Sequence, residues 1–214
     1  MDRLMPFDEL NVLSGEIREI YATGTQEQER EGILDSVLDL LILSYLYGNE
    51  AANTMLGTEE AVDTERLDKA VTEEIAGETW IQRINEYITN GTAEDVIRVI
   101  ETDSHRIYNE AIYAVGETVG EKVSDEESSP VGAQAILPGP NGSSVPARPK
   151  GVVYKTWETM MDDRVRDTHQ YLEGTTIPFD EYFYTYDGDS ALRPGDFAYP
   201  ENDIGCRCRL RLSR

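Results

Sequence analysis

Lysine is scarce in this chain of 214 residues: of 19 basic side chains only Lys69, Lys122, Lys150 and Lys155 are lysines. Against 42 acidic residues they leave a net charge of -23, which disfavours broad contact with DNA phosphates or anionic lipid and leaves room only for a local basic patch. Excess carboxylate with little lysine is also the balance of proteins that work at very high salt, so the composition points to a halophilic host or to an ordinary acidic protein with solvated helical faces. Long apolar runs are missing too. The longest, Leu40 to Tyr47, is too short to span a bilayer, and the opening MDRLMPFDEL has no apolar stretch suited to a secretory signal. The expectation is a soluble protein of intracellular origin, with no membrane partner. Cysteine is nearly absent: Cys206 and Cys208 are the two in the chain, and a disulfide between residues so close would be strained. No internal repeat is visible.

What charge there is falls unevenly. Residues 1–149 hold 30 acidic and 10 basic residues, and 150–214 hold 12 and 9. Four of the late cations, Arg207, Arg209, Arg211 and Arg214, lie in the last eight positions.

Apolar residues recur at steps of three and four from about Glu29 to Leu56, through Ile33, Val37, Leu41, Tyr45 and Ala52, the mark of a helix with one buried face. Gly48 is expected to interrupt it and Gly57 to end it. Further helices are expected over about Phe7–Tyr21, Thr64–Ala76 and Thr79–Asn90. A last one is expected from a cap at Thr92 to about Lys122, with a break near Asp103. The stretch around Ser44 to Leu56 reads as the most apolar surface on offer to a protein partner.

The sequence 125–149, DEESSPVGAQAILPGPNGSSVPARP, has too few apolar residues to bury and suits a linker or long surface loop. Beyond it, bursts such as GVVYKTW, IPFDEYFYTY and CRCRLRL suggest short strands and turns, with one helix near Thr156 to Leu172. The fold class expected is α+β: a helical domain over 1–124, the linker over 125–149, and a small mixed α/β module with short strands over 150–214.

The closing segment Cys206-Arg207-Cys208-Arg209-Leu210-Arg211-Leu212 alternates strictly. On a strand, both Cys and both Leu share one face and three Arg the other. Cysteines two apart on one face have Cα atoms roughly 6.5 to 7 Å apart, which lets both sulfurs converge on one metal. Upstream, the segment Asp162 to His169 carries an imidazole and several carboxylates. Asp163, His169, Cys206 and Cys208 therefore form a candidate four-ligand zinc set. Buried free thiols and a hydrogen-bonded structural His are the plainer alternative. The outward arginines could meet packaged DNA or an acidic partner, and equally could guard an edge strand or pair with nearby carboxylates.

Lys155-x-Trp157, then Asp163-Arg164-Val165-Arg166-x-x-His169, Leu172-x-Gly174, Phe183, Pro200 and Cys206-Arg207-Cys208 follow in the order and spacing of the phage Mu F-like head morphogenesis family, which the last third of the chain resembles. A looser block, Thr102 to Glu110, resembles the Thr, acid, Arg and Asn helix that the family carries ahead of its terminal module. The chain departs from the family in having Gly205 where Asn usually precedes the first Cys, and in a shorter helical region. The resemblance implies a minor head protein of a tailed virus and not an enzyme. It would be a virion component in the head interior or at the portal vertex, assembled in the host cytoplasm beside portal and major capsid proteins, and would aid head assembly and genome packaging or delivery. The rival reading from the residues is a metal-dependent nuclease or hydrolase built on the Asp, His and Cys cluster, which would need an open coordination position and a general base.

Overall fold

Helix boundaries fall where capping chemistry places them, in a computed structural model that describes residues 6–126, 136–138, 144–146 and 152–214; side chains are described outside 123–151. The helices of the first part are α1 (Phe7–Thr23), α2 (Arg30–Leu56), α3 (Thr64–Thr72), α4 (Trp80–Asn90) and α5 (Ala93–Glu126). Gly24 and Gly57 end α1 and α2 at φ of 73° and 65°, a left-handed backbone that costs glycine nothing. Asp63 caps α3, and Thr79 with Gln82 forms a reciprocal capping box at α4. Thr92 and Asp95 exchange the same kind of bonds at the start of α5, which satisfies amides that a helix start leaves unpaired.

Three expectations need correction here. Gly48 does not interrupt α2. It lies mid-helix where α5 crosses, and a Cβ there would meet the Tyr108 carbonyl oxygen and come within 2.9 Å of the Ala111 Cβ, so glycine serves close packing rather than a break. Nor does α5 break at Asp103, because that buried carboxylate is held by Arg83 at 2.6 Å and Arg106 at 3.4 Å. The helix expected near Thr156 to Leu172 is instead a strand and a one-turn helix, as the β-branched and aromatic residues of 152–157 favour.

After α5 come β1 (Ile136–Pro138), β2 (Ser144–Pro146), β3 (Tyr154–Glu158), α6 (Asp167–Gln170), β4 (Thr176–Pro178), β5 (Phe183–Tyr184), β6 (Ser190–Ala191), α7 (Pro200–Asp203) and β7 (Arg209–Ser213). The fold is α+β. α5 runs two residues into the stretch expected as a linker, β1 pairs with β2 inside it, and the remainder lies outside the described residues. β3 runs antiparallel between β4 and β7, with Trp157 opposite Leu210 and Lys155 opposite Leu212.

Two apolar cores stack along α2 and α5. One lies within the helices, from Leu10 and Ile17 through Leu41 and Ile84 to Ile100 and Ile107. The other joins Ala52, Leu56, Tyr108, Ile112 and Val115 to Val153, Trp157, Phe183, Phe197, Leu210 and Leu212. The late strands thus share a core with the helices. Ser44, Tyr45, Ala51, Ala52 and Leu56 are all buried in these two cores or against them, so most of the stretch expected as an exposed apolar surface is interior and Leu46 is left exposed. No helix among the described residues is long and apolar enough to cross a membrane.

Candidate metal centre

The loop between β3 and α6 sets up the first ligand. Asp162 accepts the Arg164 amide at 3.2 Å, and Arg166 Nη1 reaches across to the Asn202 carbonyl at 2.9 Å while its other nitrogen meets the Ile204 carbonyl. This ties α6 to the segment that carries the cysteines. His169 then points inward, with its ring stacked on Phe197 at 5.3 Å and edge-on to Trp157 at 5.5 Å.

The second and third ligands come from the approach to β7. Cys206 and Cys208 lie just before the strand, yet the alternation holds: Cys206, Cys208, Leu210 and Leu212 are buried, and Arg207, Arg209 and Arg211 are not. The register is held from α5. Asn109 donates to the Cys208 carbonyl at 3.0 Å and accepts the Leu210 amide at 2.8 Å, so one side-chain amide stands in for a neighbouring strand. Thr102 accepts the Gly205 amide at 2.9 Å. Gly205 has φ of 73°, a conformation that Asn tolerates best after Gly, which accounts for a Gly standing where the resembling family shows Asn. The Thr102 to Glu110 block is therefore the socket into which the terminal segment docks.

At the centre, His169 Nδ1 lies 3.6 Å from Cys206 Sγ and 3.5 Å from Cys208 Sγ. All three ligand atoms fall within 4.8 Å of one another, and all three residues are buried. A tetrahedral zinc with S and N ligands at ordinary bond lengths separates sulfur from nitrogen by about 3.6 Å. One imidazole nitrogen can serve only one good hydrogen bond in its ring plane, so it cannot bond both sulfurs well at once. The thiols are also unequal. Donation by the Cys206 thiol holds Cys208 below its ordinary pKa, while that bond and burial raise Cys206 well above its own. Asp163, the fourth residue expected here, is exposed and lies outside the group.

Each arginine of the outer face has a carboxylate. Arg207 meets Asp162 at 2.7 Å, and Glu158 takes Arg211 at 2.6 Å and Arg209 at 4.0 Å. Asp162 stays below the usual carboxylate range chiefly through its bond from Arg207.

Sequence reasoning missed Asp189, and it singled out Lys155 only through the family pattern, without a role. Asp189 is buried and accepts the amides of Ser190, Ala198 and Tyr199 and the Asn202 side chain at 2.9 to 3.1 Å. Burial opposes its charge, but these donors outweigh it and lower the pKa. Lys155 is fully buried, donates to the Leu192 carbonyl at 2.9 Å, and sits 5.4 to 5.5 Å from the rings of Tyr113, Phe179 and Phe183. Its pKa is lowered to about 8 by burial. The only local signals were the Asp187-Gly188-Asp189 turn and a lysine amid aromatics, neither of which names a partner.

Residues 143–211 match the family model described as phage Mu protein F like protein. The chain is similar to the minor head protein GP7 of Bacillus phage SPP1, 32% identical over 79 residues, which is 37% of this chain and 26% of that protein. It is also similar to an NAD(+)–arginine ADP-ribosyltransferase, EFV, of Enterococcus faecalis, 39% identical over 56 residues, 26% of this chain and 11% of that protein. The chain thus spans about a quarter of the length of the first relative and a ninth of the second. No solved structure matches it.

Proposed function

We propose, from the match of residues 143–211 to the phage Mu protein F like family, that the chain is a minor head protein of a tailed virus. It acts in head morphogenesis at the portal vertex or head interior, is assembled in the host cytoplasm, and aids packaging or delivery of the genome. Portal and major capsid proteins are its partners. The observation that carries the reading is the docking of this module onto α5: the two blocks of residues that resemble the family meet through Thr102 with Gly205 and Asn109 with Cys208 and Leu210.

In the same reading the ion held by His169, Cys206 and Cys208 is zinc, which suits a set of two thiolates and one imidazole. It fastens the start of β7 to α6. The hydrolase alternative finds no support in the geometry, since none of the described residues lining the centre is a carboxylate able to serve as general base.

Quantitative mass spectrometry of purified heads, with crosslinking, tests the role. A ring's worth of copies crosslinked to the portal is expected; absence from particles would sink it. DNA contact by Arg207, Arg209 and Arg211 would require them to exchange carboxylates for phosphates. Salt-dependent DNA affinity lost on their joint replacement would reveal it.

A further inference from the structure

The three ligand atoms leave one corner of a tetrahedron to fill, and its surroundings are defined. The pocket at the centre is lined by Met160, Val165 and Gly205, by the three ligands, and by Arg164, Arg166 and Arg207. It leaves about 10 Å³ for the centre of a water-sized ligand, enough for the donor atom of a small ligand. No further His, Cys, Asp or Glu among the described residues joins the group.

Charge decides which donor. Two thiolates and one neutral imidazole cancel a divalent ion, so the metal itself neither attracts nor repels an anion strongly. The arginines tip the balance. Arg207 is offset by Asp162 and Arg164 by Glu101 at 3.2 Å. Arg166 instead spends its donors on the carbonyls of Asn202 and Ile204, which carry no charge, so its full positive charge remains beside the pocket.

Resting on the zinc reading above, we infer that the centre is a three-ligand zinc site whose fourth position takes an exchangeable small anion from solvent, such as hydroxide or a halide. Closed structural sites fill all four positions from the chain, and here the described residues supply three. The pocket is too small for a macromolecular substrate, so the open position serves binding of a small anion.

The test uses the full chain loaded with cobalt(II), which takes zinc's place and absorbs in the visible. One cobalt per chain is expected, with a ligand-field band that shifts saturably on titration with azide or thiocyanate. X-ray absorption of the zinc form in halide-free buffer should show two sulfur and two lighter scatterers. Arg166→Gln should weaken azide binding roughly fivefold, Arg166→Lys, which keeps the charge, should restore most of it, and Arg164→Gln, whose charge Glu101 already offsets, should leave it nearly unchanged. A band that azide leaves unmoved, or a third sulfur contributed by Met160, overturns the open position alone. No metal uptake by folded protein removes the zinc reading and this inference together, while leaving the head role standing.

Discussion

Glycine at position 48 is worth more than its helix propensity suggests. In an exposed helix Gly→Ala gains about 1 kcal/mol. Here the added methyl meets the Tyr108 carbonyl and the Ala111 Cβ, neither of which can turn aside as a side chain would. Gly48→Ala is expected to destabilise by about 1 to 3 kcal/mol in urea titration; a gain would mean that α2 and α5 separate easily. His105 makes a second residue-level case. It is buried beside Phe7, and burial, helped by Arg207, Arg209 and Arg164, lowers its pKa to about 3. The unfolded chain takes up the proton near pH 6.5 while the folded chain refuses it until about pH 3. Stability from this group is therefore whole above pH 6.5 and declines as pH falls through that window, by at most about 1.4 kcal/mol per pH unit. His105→Phe should flatten that slope in melts run between pH 4 and 7.

Among elements, β7 depends on a helix as much as on its sheet. Its partner β3 covers one edge, and Asn109 of α5 meets the Cys208 carbonyl and the Leu210 amide on the other side. Asn109→Ala strands both groups in the core and should cost about 2 to 4 kcal/mol. Hydrogen exchange at Leu210 would register it first; unchanged protection there would show that water replaces the amide. The helices themselves were legible from periodicity and caps, with Thr79, Thr92 and Gly57 marking ends correctly. The segment between Thr156 and Leu172 was not, because Asp162, Arg166 and His169 also fit a helical face. What breaks that helix is distant: Arg166 is drawn to carbonyls of residues 202 and 204.

For the whole molecule, one core runs from Ala52 and Tyr108 to Trp157 and Leu212, so helices and terminal module should melt in one transition, followed equally by tryptophan fluorescence and by helical circular dichroism. Two separated transitions would show the module to be merely tethered. The net charge of -23 adds a second expectation. Screening relieves self-repulsion, so molar potassium chloride should raise Tm by about 2 to 8 °C, the equivalent of about 1 to 2 kcal/mol for a chain of this size; no rise would argue against the high-salt reading of the composition.

Local pattern alone settled most of the helices and the inward face of Cys206, Cys208, Leu210 and Leu212, because periodicity and alternation are properties of neighbouring residues; bringing His169 to the two sulfurs took the fold. The fold decided what depends on residues far apart in the chain. It left Asp163 in solvent and brought Asn109 within reach of β7 across about a hundred positions. It also paired every outer arginine with an acid and turned the apolar stretch around Ser44 inward. A carboxylate six residues before a histidine looks like a ligand in sequence; only the path of the loop between β3 and α6 determines whether it faces the sulfurs or the water.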